Sequence, residues 1–188
     1  MPTLRTGLIA SAAALLAAAG TVAATQGSGN AAPAKPVAPA ALAASGIATM
    51  QGFVDLPPST WTNIPLQVHL PYAGTYEIDA DVRGRLQGTP PLNTYIIGRL
   101  WNVTSGAQVP DSQRTVYQVL NDNSASEPVG GNQTAPVSEL ITVTRPTTIQ
   151  LQAQEVNGTG TAAIAQVASD DSGYTTLRYV RVSDLAGL

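Results

Sequence analysis

Residues 75–86 alternate strictly between apolar and polar side chains, and this pattern constrains the fold more than any other part of the chain. The apolar parity holds Tyr76, Ile78, Ala80 and Val82. Because successive side chains of an extended strand point to opposite faces, the segment is predicted to be a strand with one buried and one wet face. A second layer must cover the apolar face, so the chain is predicted to pack sheet on sheet.

Other segments show a strand pattern and are separated by turn residues. They are 48–56, 61–70, 93–103, 113–120, 137–143, 149–154, 161–169 and 174–183. Residues 121–134 are polar and are predicted to form a long loop. No helical period follows residue 46. About eight to ten short strands joined by turns predict an all-β, antiparallel β-sandwich with jelly-roll topology.

The N-terminal region has the organisation of a secretory signal peptide. Arg5 precedes an apolar run over 7–19, and small residues at 22–24 offer a cleavage site before Thr25. The run is shorter than the roughly 20 residues that span a bilayer, so the mature form is expected to have no membrane span. Ala, Pro, Gly, Ser and Asn then dominate up to residue 45, a composition that does not favour a packed core. We predict a signal peptide over 1–24, a flexible Ala/Pro-rich linker over 25–45, a jelly-roll domain over 46–188, and an extracellular location.

Composition narrows the function classes. The chain has no cysteine, which removes disulfides, thiol catalysis and cysteine-based zinc sites. Its net charge of −3 is spread without runs, so no nucleic-acid partner is expected. The excess of arginine over lysine, with abundant Ala, Gly and Pro, is associated with GC-rich bacteria.

Several stretches resemble one family. Asn-Ile-Pro-Leu at 63–66 leads to Gly-Thr-Tyr-Glu-Ile at 74–78, strands 138–143 and 148–153 follow each other closely, and Gly-Tyr-Thr-Thr-Leu closes the pattern at 173–177. This arrangement resembles the complement globular-head and tumour-necrosis-factor-like jelly rolls, whose relatives include secreted actinobacterial proteins and phage tail fibres. The resemblance implies a ten-strand jelly roll that assembles as a homotrimer and takes ligands on its outer surface or loops.

The last predicted strand has apolar side chains on both parities. They are Leu177, Tyr179, Val180 and Val182. An exposed apolar patch on a soluble protein often marks an interface, so these residues are predicted to form one wall of the homotrimer contact. The alternative is that the strand is central in its sheet and is covered by the linker or a loop.

The chain offers few groups for catalysis. His69 is the only histidine and has no acidic neighbour in sequence, so a surface histidine is favoured over a Ser-His-acid triad. Glu77, Asp79 and Asp81 share a strand face with spacings of about 7 Å, which a glycosidase could use. A solvated face balanced by neighbouring arginines is the favoured interpretation. No catalytic residue is assigned, and the protein is predicted not to be an enzyme.

Two oxygen-rich loops are calcium candidates. Asp122 and Glu127 lie in one, and Asp170 and Asp171 in the other. Calcium takes several carboxylate and carbonyl ligands, but the same residues are also ordinary turn formers. No other cofactor is predicted.

One of the two tryptophans is a candidate for stacking on a ligand. Trp61 begins a predicted strand after Pro-Pro-Ser-Thr, where it could stack on a sugar. Trp101 lies in a strand that is apolar on both parities, so it is predicted to pack in the core.

Together these features predict a secreted, non-enzymatic binding or structural module of the bacterial cell surface or exterior, with an extracellular glycan or protein ligand. One alternative is a carbohydrate-binding module or weak cell-envelope glycoside hydrolase. Another is a phage-type tail or receptor-binding component, against which the signal peptide argues.

Overall fold

A computed structural model describes residues 44–184 and shows them as an antiparallel β-sandwich. Its strands are β1 (Ser45–Thr49), β2 (Gly52–Asp55), β3 (Thr62–Leu70), β4 (Gly74–Gly88), β5 (Leu92–Asn102), β6 (Ala107–Gln108), β7 (Arg114–Asn121), β8 (Val129–Val143), β9 (Thr147–Thr159), β10 (Ile164–Ser169) and β11 (Thr176–Ser183). The predicted signal peptide and nearly all of the predicted linker lie outside the described residues. Within 44–184 there is no helix long and apolar enough to cross a membrane.

The strands form a six-stranded and a five-stranded sheet. In the six-stranded sheet, β8 pairs along one edge of β4, while β11 and β10 share the other edge. β1 extends this sheet beyond β11, and β2 extends it beyond β10. The five-stranded sheet has the order β3–β9–β5, with β7 and β6 sharing the far edge of β5. Strands β3, β4 and β5 alternate between the sheets, as do β7, β8 and β9, so the predicted jelly roll is confirmed.

The core lies between the sheets and contains the apolar parity of the 75–86 pattern. Tyr76, Ile78, Ala80 and Val82 are fully buried on the inner face of β4, as predicted. Buried residues of the five-stranded sheet face them; they include Leu66, Ile96, Leu100, Ile149 and Leu151. Each sheet therefore covers the apolar face of the other.

Arg83 departs from the predicted wet face of β4, because its side chain is only 6% exposed. Its guanidinium forms an ion pair with Asp170 and donates to the carbonyl of Gly173 at 3.2 Å. The hydrogen bond from Arg83 is the main cause that lowers the pKa of the Asp170 carboxyl. The contact ties the turn before β11 to the middle of β4.

Two predicted segments differ from the structure. The predicted loop 121–134 is too long, since β8 already begins at Val129 and pairs its polar first half with β4 through the backbone. Backbone pairing needs no apolar alternation, so the pattern missed this part. The predicted strand 48–56 is two strands, separated next to Gly52, whose positive φ of 73° bends the chain.

Candidate functional site

The outer face of the five-stranded sheet gathers aromatic and amide side chains. Trp101 lies on this face, half-buried, and not in the core as predicted. The reason is register: its neighbour Leu100 takes the inward position opposite Leu151, so Trp101 points away from the core. Trp61, immediately before β3, is also half-buried.

Arg99 links the two tryptophans. The central carbon of its guanidinium lies 3.7 Å from the ring centroid of Trp61 and 4.8 Å from that of Trp101. Both distances are in the range of cation–π attraction, which is largest for tryptophan. The three side chains therefore form one cluster on the outer face.

A row of hydrogen-bonded side chains crosses the sheet through this cluster. Gln152 donates to Asn63 Oδ1 at 2.7 Å, and its own Oε1 accepts from Arg99 Nε at 2.8 Å. Gln108 Oε1 accepts from Arg99 Nη1 at 3.2 Å. Asn63, Gln152 and Arg99 are register partners on the adjacent strands β3, β9 and β5, and Gln108 lies on β6. The row therefore joins four strands.

Gln150 has a structural role beside this row. The pairing of β3 with β9 shifts register between Asn63 and Gln67, where Pro65 cannot donate to the ladder. Gln150 Nε2 donates to the carbonyl of Ile64 at 3.1 Å within that gap. Gln150 and Gln152 are each 8% exposed, so both are locked by their neighbours.

We refer to Trp61, Arg99, Trp101, Gln152, Gln108 and Asn63 as the Arg99 cluster. Of these residues, only Trp61 is predicted from the sequence to contact a ligand, whereas Arg99 and the amides are not. One sequence signal for the cluster existed, since the alternate glutamines of β9 face outward and are uncharged. The side chains of β3 and β5 that lie beside these glutamines depend on strand register, which the sequence pattern does not give.

None of the calcium candidates belongs to this cluster. Asp170 is already paired with Arg83, so a cation there would have to displace a guanidinium. Asp122, Glu127 and Asp171 are exposed. Within 44–184 there is no group of three or more His, Cys, Asp or Glu side chains arranged to hold a metal ion. Calcium binding stays a prediction for these loops.

The candidate catalytic groups stand on open strand faces. His69 is exposed, and its Nδ1 lies 3.3 Å from the hydroxyl of Thr148. Asp79 accepts a hydrogen bond from Ser138 at 2.6 Å and pairs with Arg178 at 3.3 Å. Asp79 is thus already engaged by neighbouring side chains.

The predicted interface residues separate into two groups. Leu177 is fully buried, so its assignment to an interface is wrong; it belongs to the core. Tyr179 packs edge to face against Tyr76, with ring centroids 5.8 Å apart, and burial raises the pKa of its hydroxyl. Val180 and Val182 are 47% and 50% exposed on the outer face of the six-stranded sheet. The strand lies between β1 and β4, as in the alternative interpretation. Among residues 44–184, nothing covers Val180 and Val182 on its outer parity.

No protein-family model matches the chain, and a search of curated proteins finds no match. Among solved structures, the chain is similar to the Eiger TNF of S. frugiperda, with 12% identity, coverage of 77% of this chain and 96% of that one, and a TM-score of 0.46. It is also similar to the VP2 subviral particle protein of infectious bursal disease virus, with 13% identity, coverage of 76% and 38%, and a TM-score of 0.41. The chain spans well under half of that viral protein.

These likenesses concern the fold alone. The links to complement globular heads, actinobacterial proteins and phage tail fibres stay predictions.

Proposed function

We propose that this protein is a secreted, non-enzymatic binding module that takes an extracellular glycan on the outer face of its five-stranded sheet. The Arg99 cluster is the observation that supports this function. It places two half-buried indoles beside a row of amides on one face.

The chemistry of the cluster suits a sugar. Indole rings offer flat apolar surface on which the C–H face of a pyranose packs. Asn63 and Gln108, at the two ends of the row, are more exposed than Gln152, and amide side chains provide both donors and acceptors, which matches the mixed character of sugar hydroxyls. The hydrogen bonds between Asn63, Gln152 and Arg99 hold these groups in place before a ligand arrives, which lowers the entropy cost of binding.

We expect Trp61→Ala to weaken glycan binding by at least about tenfold, because it removes a stacking surface. A glycan array with the protein from Thr25 onward would identify a ligand, and calorimetry would compare the variants. Phe53→Ala is the matched control, since Phe53 is an exposed aromatic of the six-stranded sheet that also has an arginine, Arg85, over its ring. Equal affinity of the Trp61→Ala variant and the wild-type protein would contradict the proposed site.

Export is the second part of the proposal and rests on residues 1–24. We expect protein recovered from culture medium to begin near Thr25, as shown by N-terminal sequencing. Export would be contradicted if the protein were found only in the cytoplasm and still began at Met1.

We also propose that the module is a homotrimer that buries the outer face of its six-stranded sheet. Four exposed aliphatic side chains support this assembly: Ile47, Leu140, Val180 and Val182. They lie on β1, β8 and β11, on both sides of β4, whose outer face has Glu77, Asp79 and Asp81. Uncovered apolar groups of this kind are typical of an interface.

We expect Val182→Lys to convert the trimer to monomers, because it would bury an unpaired ammonium group in the contact. Light scattering at micromolar concentration measures the mass. Leu120→Lys is the matched control, because Leu120 is an exposed aliphatic of the other sheet. A wild-type mass of one chain would exclude the trimer, and a trimer that Val182→Lys leaves intact would place the contact on another surface. Tyr179 is unsuitable for this test, since its ring packs against Tyr76 inside the sandwich.

A further inference from the structure

Acidic residues are distributed unequally over the two sheets. The strands of the five-stranded sheet contain a single acidic residue, Glu155, which is 2% exposed and faces inward opposite Ile96. In contrast, the outer face of the six-stranded sheet has Glu77, Asp79 and Asp81 on β4 alone. The outer face of the five-stranded sheet therefore has the Arg99 cation and no carboxylate from its own strands, on a chain whose net charge is −3.

The charge of Arg99 is not neutralised by a carboxylate. Within residues 44–184, no acidic oxygen lies within 4.0 Å of its guanidinium nitrogens, and its hydrogen-bond partners are the neutral amides of Gln152 and Gln108. Arg114 and Arg178, by comparison, each pair with a carboxylate. Burial lowers the pKa of Arg99, which means that its surroundings disfavour the charged form. An anion beside it would offset that cost.

The guanidinium of Arg99 is fixed in position, but one of its edges is left without a hydrogen bond. Nε and Nη1 each donate to an amide oxygen, whereas Nη2 makes no hydrogen bond within the described part of the chain and is not buried. The two indoles restrain the plane of the group. A planar fork with fixed orientation and free N–H groups matches the geometry of a carboxylate better than that of a single hydroxyl.

We propose that Arg99 recognises a negative charge on the ligand, so that the glycan bound here is an acidic saccharide with a uronic acid residue. The uronate carboxylate accepts hydrogen bonds from the open Nη edge of Arg99, and its sugar ring packs on the Trp61 and Trp101 side of the cluster. This inference rests on the proposed glycan-binding function and specifies its ligand class.

The test compares acidic oligosaccharides with neutral forms of the same backbone. The probes are hexasaccharides of galacturonate, alginate and hyaluronan, each before and after reduction of its carboxylates to alcohols. We expect the wild-type protein to bind at least one acidic probe at least about tenfold more tightly than its reduced form, and this preference to decrease with added salt. This comparison needs no variant and therefore does not depend on how a substitution folds.

Arg99→Gln then assigns the preference to one residue. It keeps a polar amide but removes the charge, so its affinity for the acidic probe should fall at least about tenfold more than its affinity for the reduced probe. Thermal unfolding of the variant checks that it is folded, and Arg99→Lys, which keeps the charge and loses the fork, should recover part of the preference.

Three results would overturn the inference. In the first, the wild-type protein binds reduced and acidic probes equally, which leaves the proposed glycan function intact. In the second, folded Arg99→Gln keeps the wild-type preference for the acidic probe. In the third, no saccharide binds, which contradicts both the inference and the proposed function.

Discussion

Ile78→Ala is expected to lower the free energy of unfolding by about 2–5 kcal/mol. Ile78 lies in the middle of β4 with no exposed surface, and cross-strand neighbours flank it on both sides, Tyr179 on β11 and Glu139 on β8. Truncation would remove buried methyl groups and leave a cavity between two sheets that hydrogen bonds hold in place. Urea unfolding followed by fluorescence measures the change.

The adjacent residue provides the control. Glu77 is exposed on the opposite face of the same strand, and Glu77→Ala should change stability by no more than about 0.5 kcal/mol. Asp79 is a poorer control, because Ser138 and Arg178 both contact its carboxylate. Equal losses for Ile78→Ala and Glu77→Ala would show that the assignment of faces to β4 is wrong.

Gly130→Ala is expected to lower the free energy of unfolding by about 2–4 kcal/mol, because the new methyl group would cause both overpacking and backbone strain. A Cβ at this position would lie 2.1 Å from the carbonyl oxygen of Leu86 and 2.6 Å from the Cα of Gln87. Both atoms belong to the backbone of β4, which cannot move away without breaking its pairing with β8. The substitution should therefore disrupt the start of β8, and hydrogen exchange would show loss of protection there.

Gly131→Ala is the matched comparison in the next position. Its Cβ would meet only the hydroxyl of Tyr117, at 3.2 Å, and a side chain can shift by the few tenths of an ångström required. We expect a cost below about 1 kcal/mol. Similar stability of the two variants would mean that β8 does not approach β4 as closely as the structure shows.

The predicted interface residues of β11 show what the alternation along one strand can specify and what it cannot. Alternation places Val180 and Val182 on one parity of β11 and Leu177 and Tyr179 on the other. It does not state which parity faces the core, because both are apolar. The packing of Tyr179 on Tyr76 answers this, and it depends on the pairing of β11 with β4, about 100 residues apart in sequence.

Sequence alone determined the fold class of the described residues. The period-2 pattern of β4, the turn residues and the lack of a helical period are local properties of the chain, and local properties suffice to specify strands that bury one face. The same pattern correctly located the buried residues of β4 from Tyr76 to Val82.

Tertiary structure alone decided which side chains meet. The Arg99 cluster joins residues from Trp61 to Gln152, and the Arg83–Asp170 pair joins a strand to a distant turn. Such contacts depend on strand order and on register, and a shift of one residue would turn each side chain to the opposite face. Periodicity within one strand contains no information about its partner, so the site became visible only when β3, β9 and β5 were aligned.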